Sequence, residues 1–264
     1  MDHVAGPPAG HGIVCCMRTV LILGGTGEAR RLAEALAGTG FRVISSLAGR
    51  VADPVLPPGE VRVGGFGGPA GLAGYVRATR VDVVVDATHP FAARISASAA
   101  AAGVPLLLLR RPGWTAGPGD VWHRVPTLDA AAAFIARSPF ERVFLTTGRQ
   151  GLAAFADLAA RWFLVRSVDP VAPPHPPRLE SLLDRGPFSV DGESALLRSY
   201  SIQLLVTKDS GGDMTAAKLT AARRLGLPVL MVDRPPVTPG VPVVASVEDA
   251  VTFLRTGDGG TGGG

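Results

Sequence analysis

The sequence predicts an α/β protein of two Rossmann-like three-layer domains whose mainly parallel sheets face a central cleft. Three observations carry that expectation. Short β-branched runs alternate with helix-like segments along nearly the whole chain, the pattern of successive βαβ units. A glycine-rich turn follows the first such run and opens the first helix. At mid-chain, Arg111-Pro112-Gly113-Trp114-Thr115-Ala116-Gly117-Pro118-Gly119 concentrates turn formers and divides the alternation in two.

The elements follow in order. A strand over 20–23 leads through a turn into a helix over about 28–37, which stops near Gly38 and Gly40. A second strand over 42–46 runs into Leu47-Ala48-Gly49-Arg50, and a short strand near 61–63 precedes a helix over 70–78. The unbroken β-branched run at 81–85 reads as a buried strand. A helix over 92–102 and a strand over 106–109 complete a doubly wound half. The second half reads as a helix over 128–136, a strand over 143–146, a helix over 151–160 and a strand over 162–165. After a proline-rich loop through Pro177 come a helix around 193–199, a strand over 204–207, a helix over 215–225, a strand over 229–232 and a terminal helix over 248–254. The expected division is a disordered N-terminal extension at 1–16, a first domain at 17–112, a second at 113–256 and a flexible glycine-rich tail at 257–264. Met17, three residues before the first strand, is the expected natural start if residues 1–16 are not an extension.

Composition narrows the classes of function. With 264 residues and 47% hydrophobic content, the chain can bury a sizeable core. The two cysteines, Cys15 and Cys16, are adjacent and outside the predicted elements, which suits neither a disulfide framework nor a metal cage. The longest apolar stretch, 95–109, is interrupted by Gly103 and Pro105 and falls short of the roughly 18 residues of a membrane span. No basic region precedes an apolar core and a small-residue cleavage site, so no secretion signal is expected. The net charge of +4 comes almost entirely from scattered arginine, with lysine only at 208 and 218, and lacks the basic block of a nucleic-acid surface. Scattered arginine can still converge on an anionic small molecule.

Five motifs stand at strand ends. Gly24-Gly25-Thr26-Gly27-Glu28 is placed to let a pyrophosphate approach a helix N-terminus, although Arg30 occupies the position of the third fingerprint glycine, and a tight structural turn is the alternative. The second strand ends in Ser45, Ser46 and Arg50 instead of the acid that bonds a ribose 2′-hydroxyl, which favours NADP over NAD unless Arg50 is simply a solvated arginine. Asp86-Ala87-Thr88-His89-Pro90-Phe91-Ala92 brings two titratable groups to the expected switch point, where helix capping would explain Thr88 but not the whole cluster. Thr146-Thr147-Gly148-Arg149 and Thr207-Lys208-Asp209-Ser210-Gly211-Gly212 end two strands of the second half and should share one rim; capping by Ser210 or Asp213 beside a solvated lysine is the plainer reading of the latter. Zinc-ligand spacing, a serine-nucleophile elbow and a complete Walker loop are all missing, so no metal is expected.

Taken in order, Leu23-Gly24-Gly25-Thr26-Gly27-Glu28, Ser46-Leu47-Ala48-Gly49-Arg50, the Asp86 to Ala92 motif, Leu145-Thr146-Thr147-Gly148, Gly186-Pro187-Phe188 and Thr207-Lys208-Asp209-Ser210-Gly211-Gly212 resemble the precorrin-6A reductase family of cobalamin biosynthesis. The resemblance spans about 18–255 and includes Arg110-Arg111-Pro112 with Trp114. It departs at Asp209, where the family pattern usually has asparagine. The resemblance implies a cytoplasmic enzyme that uses NADPH to reduce one double bond of the precorrin-6A macrocycle, a polycarboxylate tetrapyrrole, giving precorrin-6B. It makes 17–112 the NADP-binding domain, implies adjacent enzymes of the pathway as partners, and is compatible with a monomer. Under it, Gly24, Gly25, Thr26 and Gly27 take the pyrophosphate, Ser46 and Arg50 the 2′-phosphate, and Thr88, His89 and Thr147 the nicotinamide side of the cleft. Lys208, His89 and Asp86 are the catalytic candidates, with the proton coming from His89, Asp86 or water, and Ser210, Gly211, Arg149 and Arg111 are the substrate-binding candidates. The competing expectations are a cobalt-precorrin-6A substrate, an NADP-dependent reductase of another conjugated imine or alkene, and a non-catalytic NADP sensor.

Overall fold

The computed structural model describes residues 17–49 and 56–257; the expectations for 1–16, for Arg50 and for 258–264 lie outside them. The described chain forms two six-stranded sheets in which every strand pairing is parallel. In the first, β1 (Arg18–Leu23) lies between β2 (Phe41–Leu47) and β4 (Val83–Asp86), with β3 (Glu60–Val63) beyond β2 and β5 (Leu106–Leu109) beyond β4. In the second, β7 (Arg142–Leu145) lies between β8 (Trp162–Ser167) and β10 (Leu204–Lys208), with β9 (Leu179–Leu183) and β11 (Val229–Val232) outside them. The first sheet reverses its direction of winding at β1 and the second at β7, which creates a switch point at the carboxyl ends of each.

The sixth strand of each sheet lies at an edge, and only the first sheet draws its sixth strand from the other half of the chain. Strand β6 (Trp122–Val125) pairs with β11, and β12 (Val243–Val244) crosses back to pair with β5. Helix α7 (Val247–Thr256) follows β12 and packs its buried Ala250 and Leu254 into the first core. The expected second domain at 113–256 therefore differs at its end: β12 joins the first sheet and α7 packs on the first core, while the cut at 112 falls between β5 and β6 as expected. A two-residue strand carries too little pattern to reveal its partner, so only the tertiary structure assigns it.

The helices obey local chemistry. Helix α1 (Gly27–Leu36) is capped by Thr26, whose hydroxyl accepts from the Ala29 amide at 3.1 Å. It buries Leu32 and Leu36 against β1 and α7, each worth about 1.5–3 kcal/mol of apolar burial. Helices α2 (Pro69–Thr79) and α3 (Ala93–Ala100) cover the other face through Leu72, Val76 and Ala99. In the second half, α4 (Leu128–Arg137) covers one face while α5 (Val190–Ser199) and α6 (Ala217–Arg224) cover the other. The helix expected over 151–160 is instead a 3-10 helix, Arg149–Phe155, and the one expected to begin at 215 is a 3-10 turn, Asp213–Thr215, followed by α6. In the first case the segment docks Leu152 and Phe155 into the core over a short span, a packing demand that helical periodicity does not encode.

Candidate active site

The carboxyl ends of β4 and β10 meet. The loop after β4 carries His89, the loop after β10 carries Ser210, and His89 Nε2 lies 3.1 Å from Ser210 Oγ. His89 Nδ1 accepts from the Phe91 amide at 3.3 Å, which leaves the ring proton on Nε2 and makes the ring the donor to Ser210. Burial, reinforced by Arg111, Lys208, Arg234 and Arg110, pushes the His89 pKa down to about 4, so the ring is neutral at pH 7.

Asp86 is buried and fully engaged: its Oδ1 accepts from the Thr88 amide at 3.0 Å and from the Thr88 hydroxyl at 2.6 Å. It fixes the turn that presents His89. Thr26 Oγ1 donates to the Ala87 carbonyl at 2.7 Å, tying the glycine loop to the same strand end. Thr26, Ala87, Thr88, Pro90, Arg110 and Arg111 accordingly line one depression. The glycine loop itself is open: a Cβ at Gly25 or Gly27 would meet no atom within 4 Å, and Gly25 has φ of +112°, which favours glycine. Open space over helix amides without intrahelical acceptors fits a pyrophosphate.

Lys208 is largely buried with its Nζ 5.4 Å from the Phe91 ring centroid, and it has no carboxylate partner among the described residues. Burial lowers its pKa from the ordinary value. Lys218, the other lysine, lies beneath the rim, donating to the Thr215 carbonyl at 2.6 Å beside Trp114. Arg111 reaches both halves: NH1 pairs with Glu28 Oε2 on α1 at 2.8 Å, and Nε donates to the Ser210 carbonyl at 2.8 Å. Arg234, which sequence reasoning missed, donates to the carbonyls of Asp209, Arg111 and Pro112 at 2.8, 2.7 and 3.0 Å. Its position after β11 was the available signal, since all strand ends share this rim.

Asp209 is buried and accepts from the Trp114 amide and from Arg124 NH2, both at 2.9 Å, so the extra charge has a cationic partner. Gly211, at φ +66°, is required by contact, because a Cβ would overlap the Pro112 carbonyl oxygen and crowd Arg234. Two candidates stand apart. Arg149 pairs with Asp169 at 3.3 Å, and Thr147 is buried with its hydroxyl unpartnered, facing inward near Gly151. At the end of β2, Ser46 is mostly buried and accepts at 3.2 Å from Arg62 on β3, a residue the sequence reading also passed over.

Two parallel sheets with their switch points turned toward one basic cleft define the class: a doubly wound α/β protein with a glycine loop on one side and a cationic rim on the other. The profile of the family described as "Precorrin-6x reductase CbiJ/CobK" matches residues 19–255, and the chain belongs to this family of reductases. A Precorrin-6A reductase from Rhodococcus erythropolis is 55% identical over 245 residues, covering 91% of this chain and 98% of the relative. One from Mycobacterium tuberculosis is 49% identical over 243 residues, covering 90% and 98%. A solved structure titled "CobK precorrin-6A reductase" superposes with a TM-score of 0.83 at 46% identity, covering 91% of this chain and 97% of that one. A Cobalt-precorrin-6A reductase from Priestia megaterium is 29% identical, covering 89% of this chain and 97% of the relative. No helix among the described residues is long and apolar enough to cross a membrane, and none of their acidic, histidine or cysteine side chains form a metal-binding group.

Proposed function

We propose that this chain reduces one double bond of precorrin-6A with NADPH, giving precorrin-6B in cobalamin biosynthesis. The observation that carries the reading is the meeting of His89 with Ser210 amid Arg110, Arg111, Lys208 and Arg234. A macrocycle bearing many carboxylates needs such convergent positive charge, and the junction faces the glycine loop through Arg111 and Glu28.

When bound, NADPH supplies the hydride. In this reading the amides at Gly25, Thr26 and Gly27 hold the pyrophosphate, Ser46 lies toward the 2′-phosphate, and Thr88, fixed by Asp86, borders the nicotinamide. Lys208, without a carboxylate of its own, takes a substrate carboxylate, and Ser210 extends that contact. Arg111 and Gly211 hold the rim loop against the connection instead of gripping the macrocycle. His89 is uncharged in the free protein, chiefly through burial; an incoming polycarboxylate offsets the four cations that add to that effect, raises its pKa, and allows it to take a proton from solvent and pass it to the reduced bond. Both sides of the cleft come from one chain, so a monomer suffices. The reading carries with it a cytoplasmic setting and neighbouring pathway enzymes that deliver the substrate and accept the product.

The test is anaerobic loss of reduced-nicotinamide absorbance with precorrin-6A, alongside cobalt-precorrin-6A, NADH and no-substrate arms. Oxidation that requires precorrin-6A and prefers NADPH supports the reading; cofactor binding without oxidation overturns the substrate. Oxidation confined to the cobalt-containing ring moves the assignment to the activity named for the more distant relatives.

A further inference from the structure

We propose that Arg62 is the residue that reads the 2′-phosphate and sets the preference for NADPH over NADH, an inference that rests on the cofactor reading above. In a doubly wound sheet the end of the second strand meets the adenosine ribose, and the group standing there decides between a 2′-hydroxyl and a 2′-phosphate. Here that strand ends in Ser46, whose carbonyl accepts from the Gly24 amide at 2.9 Å, so it borders the glycine loop directly. The β2–β3 register sets Arg62 opposite Ser46, and Arg62 NH1 donates to Ser46 Oγ at 3.2 Å.

Among the described residues the guanidinium is held ready by neutral groups only. NH1 and NH2 donate to the carbonyls of Gly64 and Gly65 at 2.7 and 2.8 Å, and the carbon of the fork lies 3.8 Å from the Phe66 ring centroid. These contacts fix the orientation of the fork without neutralising its charge. Among the described residues Arg62 has no carboxylate partner, and Glu60, two positions upstream, is taken by two nitrogens of Arg42 at 2.7 and 2.9 Å. A guanidinium oriented in this way beside a serine hydroxyl, with no carboxylate partner among the described residues, matches a phosphate dianion in charge and in donor geometry.

The test compares adenosine 2′,5′-bisphosphate with ADP as calorimetric titrants of the full-length protein, before and after Arg62→Gln and Arg62→Lys. The wild type should prefer the 2′-phosphate probe, and Arg62→Gln should weaken that probe roughly 10- to 100-fold. ADP, which carries the pyrophosphate and the same ribose without a 2′-phosphate, should change by less than about 2-fold and so reports that the loop still folds. Arg62→Lys should fall between, keeping the charge but losing the fork. Loss of both probes together, no loss of either, or a wild type indifferent to the 2′-phosphate overturns the inference. A wild type that shows this preference yet leaves precorrin-6A unreduced upholds Arg62 and sinks the substrate instead.

Discussion

The two sheets share one winding order, yet their equivalent first loops are built differently. After β1, the chain passes through Gly24, Gly25 and Thr26 into a ten-residue α-helix capped by a threonine side chain. After β7, it passes through Thr146, Thr147 and Gly148 into a 3-10 helix with no side-chain cap. Only the first loop offers the aligned amides and dipole of an α-helix to an anion. The second half carries Lys208, Arg124 and Arg234 on its rim, pointing to charge on side chains where the first half uses backbone. One topology can thus serve two kinds of anion recognition, because the topology fixes where loops converge and the loops supply the chemistry.

The strongest way to break the comparison is at the junction. Gly211→Ala puts a Cβ into the Pro112 carbonyl at a left-handed position, and should cost about 3–5 kcal/mol in urea unfolding along with the reductase activity. Gly27→Val tests the first loop alone. Its side chain enters open space, so the melting temperature should hold while NADPH affinity falls about 100-fold, near 2.7 kcal/mol, in fluorescence titration.

Acid sharpens the contrast further. His89 has a folded pKa below its unfolded value of 6.5, so the unfolded chain binds the proton first as pH falls, and stability drops from about pH 6.5 toward 4. Between pH 7 and 4.5 this group should account for a loss of about 2 kcal/mol that His89→Gln abolishes, measured as the difference in urea midpoints. The smallest effect is expected at Gly148→Ala, whose φ of +75° strains any side chain: about 1 kcal/mol of stability, with NADPH affinity unchanged. A large loss of NADPH binding there would mean that the second loop also holds the cofactor.

Much of the fold was legible because local signals were strong. The glycines after β1 and the apolar runs of β4, β10 and β11 each declare an element within a few residues. The cluster from Asp86 to His89 and the loop from Lys208 to Ser210 were legible as facing groups because each ends a strand of a doubly wound sheet and the two sheets were expected to face one cleft. Arg149 and Thr147 were named by the same rule, but the rule does not tell which way a side chain turns, and one found Asp169 while the other faced inward.

By itself, the sequence determined the alternation of strands and helices, the turn at 111–119 and the order of the loops, since these depend on periodicity and backbone preference over short spans. The tertiary structure alone decided that β12 returns to the first sheet, that Arg62 stands opposite Ser46, and that Arg111 and Arg234 bind backbone across the junction. Those outcomes depend on strand register and on which of many similar arginines meets which oxygen. Both are settled by packing between residues as far apart as Leu108 and Val243, where no local pattern reaches.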